Sequence, residues 1–232
     1  MYTYHIGEKF HADGDVRTYP GNTVICFANP DDAPYQEAVR VQHLVKELAI
    51  FHKVVLMPPS SLHMTVMGLL LDAVRTPDHW TSHLPLTTPL HETDCYFIEQ
   101  LAAIPLPDNF RMRFGGFGNH NYLSFDLVPA DEETHQAIWA LREAIAQASG
   151  VREPDFAEYG FHMTLGYNLQ TFTEAEQAEF DVFKVRINAE LQETFGIFNT
   201  GKPHLTFFDD MFRFATRNER HTLHTRPHRH TC

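Results

Sequence analysis

Cysteine is nearly absent from this chain of 232 residues: Cys26, Cys95 and Cys232 form an odd, widely separated set without CxxC spacing. Such a set offers no disulfide framework and suits a reducing compartment. Positive charge is also short, with 18 Lys and Arg against 30 Asp and Glu and a formal net charge of −12. That balance argues against a protein that coats long duplex nucleic acid by neutralising phosphates. No apolar run reaches the roughly 18 residues a membrane span needs. The opening MYTYHIGEKFHADGD has neither the basic nor the apolar region of a signal peptide, so the expectation is a cytoplasmic protein with no membrane partner. Missing as well are GxGxxG, the P-loop and HExxH, which leaves dinucleotide, P-loop and zincin chemistry without support.

What is present is an ordinary globular composition, 43% apolar and 21% charged, with two excesses: 19 Phe and 16 His. The length fits one large α+β unit. Three segments carry helical periodicity. The first runs from Ala33 to about Phe51, with Ala38, Val41, Leu44, Val45 and Leu48 as its stripe. The second opens at Asp131, buries Ile138, Leu141 and Ile145, and stops at Gly150, which suits a left-handed C-cap. The third has Thr173 and Glu176 in capping-box spacing, then Phe180, Phe183, Ile187 and Leu191. Strand patterns fall at 22–28, 62–70, 95–102, 111–117, 122–128, 161–167 and 204–212. The last 32 residues hold six Lys and Arg against three Asp and Glu. Residues 215–232 read as a flexible, basic, His-rich tail.

Histidine invites three explanations: metal ligands, acid/base catalysts or solvated surface. Pairs at His79 and His83, His221 and His224, and His228 and His230 have chelating spacings, but none sits in a carboxylate-rich frame. The HxT tripeptide is a better lead. With 16 His and 20 Thr, chance supplies about 1.4 copies, so the bare motif carries little. Five occur, at His63, His79, His91, His162 and His204. His79 and His91 lie in polar, Pro-flanked stretches, and His204 follows a proline only 42 residues after His162.

The remaining two share their context. Leu62-His63-Met64-Thr65-Val66 and Phe161-His162-Met163-Thr164-Leu165 repeat at a spacing of 99 residues. Strand periodicity puts each His and Thr on one face, roughly 6.8 Å apart, and the flanking apolar residues on the other. An approximate two-fold would bring two imidazoles and two hydroxyls to one cleft. One neutral His could accept a proton from water or a ribose hydroxyl and a protonated one could deliver a proton to the departing oxygen, while the threonines hold phosphate oxygens. No cofactor or metal is required by that scheme. Strand parity adds Tyr122, Ser124 and, on the first strand, Phe27 as candidate substrate contacts; Tyr167 falls on the opposite parity from His162 and is left out.

The LHMTV and FHMTL elements resemble the signatures of the 2H phosphoesterase superfamily, and GEKF (7–10), DG (13–14) and PGNT (20–23) resemble a branch of it typed as a domain of unknown function. The resemblance implies a single bilobal α+β domain over residues 1–232, with two antiparallel sheets flanking a central cleft and helices outside. It also implies metal-independent cleavage of a cyclic phosphodiester or 2′-5′ linkage in a small nucleotide or RNA end by a monomer. His63 and His162 match the acid/base histidines and Thr65 and Thr164 the phosphate-binding hydroxyls, without stating which His is acid and which base. Two other readings use the same residues differently: a non-catalytic nucleotide or RNA-end binder, and a His-ligated metalloenzyme.

Overall fold

The computed structural model describes residues 1–119 and 122–225, with the backbone alone at Tyr122. After a kinked helical turn, α1 (His5–Glu8), the chain alternates strands and helices. These are β1 (Gly21–Phe27), α2 (Ala33–Val45), β2 (Val54–Leu56), β3 (His63–Leu71), α3 (Leu90–Leu101), β4 (Arg111–Phe117), β5 (Tyr122–Pro129), α4 (Glu132–Ser149), β6 (His162–Asn168), α5 (Glu174–Thr194), β7 (Ile197–Asn199), β8 (His204–Asp210) and β9 (Arg213–Thr216). The fold is α+β, a curled antiparallel sheet with helices against it.

The sheet is continuous, in the order β7-β4-β5-β6-β3-β1-β8-β9, with β2 added beside β6. The two expected sheets are therefore two halves of one sheet. They meet where β3 and β6 pair antiparallel at Met64 and Met163, the middle residues of the two HxT tripeptides. The helices cross over. α2 follows β1 in sequence but packs against β6, β7 and α5, whereas α4 follows β5 and reaches past it to pack against β3 and α3 as well.

Local chemistry explains most of the elements. Asp131 caps α4 by accepting from the Thr134 amide at 2.8 Å, and Gly150 ends it with φ of 70°. Thr173 and Glu176 close the capping box of α5. Ala38, Val41 and Val45 of α2, Ile138, Leu141 and Ile145 of α4, and Phe180, Phe183, Ile187 and Leu191 of α5 are all buried. In β6, Gly166 lets β2 approach: a Cβ there would stand 2.6 Å from the Val55 carbonyl oxygen.

Four expectations are corrected. Of residues 95–102, taken for a strand, 95–101 belong to α3 and Ala102 is its C-cap; Leu90, Phe97, Ile98 and Leu101 recur at helical spacing, and the aromatic run Tyr96-Phe97 imitates strand composition. α2 ends at Val45 and the chain continues in a separate 3-10 turn at 49–53. Residues 215–225 are not a tail: Ala215 and Thr216 complete β9, Leu223 is buried, and the Thr225 hydroxyl bonds Asp209 of β8. Tail residues 226–232, with His228 and His230, lie outside the described residues. Finally, the cysteine set, expected to offer no disulfide framework, includes one bonded cysteine, Cys95, beside the free and buried Cys26.

Candidate active site

β3 and β6 lie side by side at the centre of the sheet, and antiparallel pairing about Met64 and Met163 sets each histidine opposite the other strand's threonine. His63, Thr65, His162 and Thr164 all line one cavity of about 660 Å3, a volume suited to a nucleotide-sized ligand. The methionines turn the other way and are fully buried. The alternation that anchors each strand thus also aims its polar pair.

The two histidines are held identically. His63 Nδ1–H donates to the Ser61 carbonyl at 2.6 Å, and His162 Nδ1–H to the Gly160 carbonyl at 2.8 Å. Each acceptor is the backbone two residues upstream. With Nδ1 so engaged, proton chemistry falls to Nε2. Their surroundings differ. His63 packs against the Phe214 ring of β9, with centroids 4.3 Å apart, and burial together with the nearby His162 lowers its pKa to about 4. A neutral imidazole is the result near pH 7.

Just after each threonine the strand bulges. Pairing with β1 jumps from Thr65 to Met67, passing Val66, and pairing with β5 jumps from Thr164 to Gly166, passing Leu165. The carbonyls at the two bulges are captured by buried side chains from the crossed helices. Gln42 of α2 donates to Leu165 O at 2.8 Å, and Arg142 of α4 donates to Val66 O at 2.5 Å. Arg142 also donates to Phe156 O at 2.9 Å and lies over the Tyr159 ring, 4.4 Å from its centroid.

The bulge in β6 corrects the parity argument against Tyr167. One extra residue flips the strand's faces, so Tyr167 turns into the cavity and its hydroxyl shares a hydrogen bond with Thr164. Tyr159, from the loop before β6, shares one with Thr65. Burial pushes the Tyr159 hydroxyl up to about 12 and that of Tyr167 higher, so both stay protonated. Lys9 and Tyr19, from the segment before β1, complete one wall. None of Lys9, Tyr19, Arg142 or Tyr159 belongs to a strand pattern, and only the bulge, invisible in composition, separates Tyr167 from its expected face.

The other candidates are placed as follows. Ser124 pairs with Thr164 but is fully buried, and its hydroxyl finds no hydrogen-bond partner among the described residues. Phe27 pairs with His63, yet its ring lies 6.1 Å from that of His204. Neither is among the cavity-lining residues. The Tyr122 backbone pairs with Tyr167; its side chain lies outside the described residues. His204 borders a separate, mostly apolar pocket between β8 and α3.

No group of three or more His, Cys, Asp or Glu converges as a metal site among the described residues. His79 bonds Glu153, and His83 shares a 2.5 Å hydrogen bond with the Tyr96 hydroxyl; the pair with chelating spacing has divergent partners. No described helix is long and apolar enough to cross a membrane.

Residues 9–123 match the 2H-phosphodiesterase family described as a domain of unknown function (DUF1868). The chain is similar to the crystal structure of a conserved protein of unknown function from Agrobacterium tumefaciens str. C58. The two are 26% identical with a TM-score of 0.86, over 93% of this chain and 92% of that one. It is also compared with LigT of E. coli in its apo form, at 11% identity and a TM-score of 0.46, over 86% of this chain and 95% of that one. No curated protein matches the chain.

Proposed function

We propose that this chain, a member of the 2H phosphoesterase superfamily, hydrolyses a cyclic phosphodiester or 2′-5′ linkage in a nucleotide or RNA end without a metal. The observation that carries the reading is the cross-strand pairing of the two HxT motifs, which gathers two imidazoles and two hydroxyls in one cavity. A phosphate between them meets proton acceptors, proton donors and neutral hydrogen-bond donors at once.

The surroundings of His63 support one division of roles. His63, neutral because burial and His162 hold its pKa to about 4, accepts through Nε2 a proton from the attacking water. The oxygen of that water bonds phosphorus, and the bond from phosphorus to the departing ribose oxygen breaks in line. His162, protonated, keeps Nδ1–H on the Gly160 carbonyl and gives its Nε2 proton to the departing oxygen. The cycle leaves the proton that entered on His63 to return to His162 through solvent. Thr65 and Thr164 hydrogen-bond the non-bridging oxygens, and their tyrosine partners fix the hydroxyl rotors.

The test is turnover of a panel of cyclic phosphodiesters, beginning with 2′,3′-cyclic nucleotides, by wild type and by the His63→Ala and His162→Ala variants. Each variant is expected to lose roughly 10²- to 10⁴-fold in rate while remaining folded. Unchanged turnover in either would sink the assignment. Binding without turnover in the wild type would make the cleft a nucleotide receptor.

A further inference from the structure

Two cations line the cavity and the two-histidine chemistry uses neither: Arg142 is taken up by the Val66 and Phe156 carbonyls, whereas Lys9 has no such acceptors among the described residues. Lys9 reaches the cavity from the segment before β1, where its backbone is fixed at both ends: its amide donates to His5 O at 3.0 Å and its carbonyl accepts from the Arg17 amide at 2.8 Å. The ammonium lies 5.0 Å from the ring centroid of Tyr167 and 5.9 Å from that of Tyr19. Both tyrosines are at least nine-tenths buried. The position is thus built by backbone bonds and two ring faces.

Its charge is unbalanced. Lys9 enters no ion pair among the described residues; the acid that acts on it is the exposed Glu8. The two carboxylates that line the cavity are otherwise engaged: Glu153 bonds His79, and Asp155 acts on Arg142 and Tyr159. Lys9 is half-buried, and a cation drawn partly out of water without a close ion-pair partner is costly. In a chain of net charge −12 a carboxylate within ion-pair distance would be the easy remedy, yet Glu8 acts on Lys9 from an exposed position without pairing with it. Aromatic faces relieve part of the cost and leave the ammonium's hydrogens available to an anion.

We propose that Lys9, held between Tyr19 and Tyr167, binds a second phosphate of the substrate, so that the preferred substrates are cyclic phosphodiesters of nucleotides bearing a further phosphate group. The scissile phosphate belongs between the paired HxT strands. Tyr167 spans the interval, with its hydroxyl on Thr164 and its ring under Lys9, so the ammonium stands a tyrosine ring away from the threonine. A second anion there is a separate contact on the same molecule. The cavity of about 660 Å3 has room for both.

The proposal rests on the phosphoesterase reading, and a binding measurement separates the two. Adenosine 3′-phosphate and adenosine 3′,5′-bisphosphate are titrated calorimetrically into wild type, Lys9→Met and Lys9→Arg, and turnover of adenosine 2′,3′-cyclic phosphate is compared with that of its 5′-phosphorylated form. A charge-assisted contact predicts that wild type favours the doubly phosphorylated member of each pair by roughly 10- to 100-fold. Lys9→Met, which keeps the apolar stem, brings both ratios near one, and Lys9→Arg restores them. Wild-type ratios near one, or ratios unchanged in Lys9→Met, would overturn the proposal. A binding preference with no turnover of either cyclic ester would uphold the Lys9 site and overturn the hydrolase reading instead. Should Lys9→Met fail to fold, the wild-type ratio and its persistence in Lys9→Arg decide alone.

Discussion

Met64 and Met163, 99 residues apart, are direct cross-strand partners and the point at which the two halves of the sheet join. Each is the middle residue of an HxT tripeptide, so the two copies of the repeat meet at the strands that line the candidate cleft. The proposed active site is a property of that joint and belongs to neither half alone.

Removing a threonine hydroxyl tests whether the joint grips phosphate. Thr65→Val and Thr164→Val are each expected to lower turnover by roughly 10²-fold, the size typical of losing one preorganised donor. Thr→Ser at the same positions should retain most activity. Steady-state kinetics on one cyclic ester checks this, and a loss confined to binding would assign the hydroxyls to recognition alone.

The pH dependence follows from the position of His63. In the proposed mechanism its neutral form is the proton acceptor, and with a pKa of about 4 that form persists as pH falls through the usual histidine range. The acid limb of kcat/KM is therefore expected near pH 4. Phe214→Ala, which removes the ring 4.3 Å from His63, should move that limb upward toward about 6.5. For stability the sign is the same: between about pH 4 and 6.5 the unfolded chain holds more protons at this site than the native one, so this group's contribution to stability rises with pH across that window. A limb at 6.5 in the wild type would remove the assignment of His63 as base.

Activity should survive a chelator. In the proposed mechanism His63, His162, Thr65 and Thr164 supply the proton acceptor, the proton donor and the phosphate ligands. Incubation with EDTA is expected to leave the rate unchanged, and a loss that a specific divalent ion restores would favour the His-ligated metalloenzyme.

The clamps at the bulges are structural. Arg142→Leu abandons the Val66 and Phe156 carbonyls and is expected to cost roughly 2–4 kcal/mol. Gln42→Leu abandons those of Met57 and Leu165 and should cost roughly 1–3 kcal/mol. Urea denaturation reads both as a lower midpoint at an unchanged slope.

Much of this is legible in the sequence. The HxT strands, the Asp131 and Gly150 limits of α4 and the capping box of α5 all rest on contacts between near neighbours in sequence. α3 was misread because Tyr96 and Phe97 have strand composition, while its helical face is decided by burial against α4. Lys9, Tyr159 and Arg142 escaped notice because their place in the cleft depends on how loops and a crossed helix return to the sheet. Tyr167 escaped because a single bulged residue, Leu165, reverses a two-residue alternation.

The crossed clamps bear on how this chain can be divided. Gln42 precedes β3 yet holds β6, while Arg142 precedes β6 yet holds β3. Any cleavage between Val66 and Arg142 therefore separates both HxT strands from their clamps at once. Neither fragment would carry a motif strand together with the side chain that secures its bulge, and only reassociation of the two would restore the arrangement.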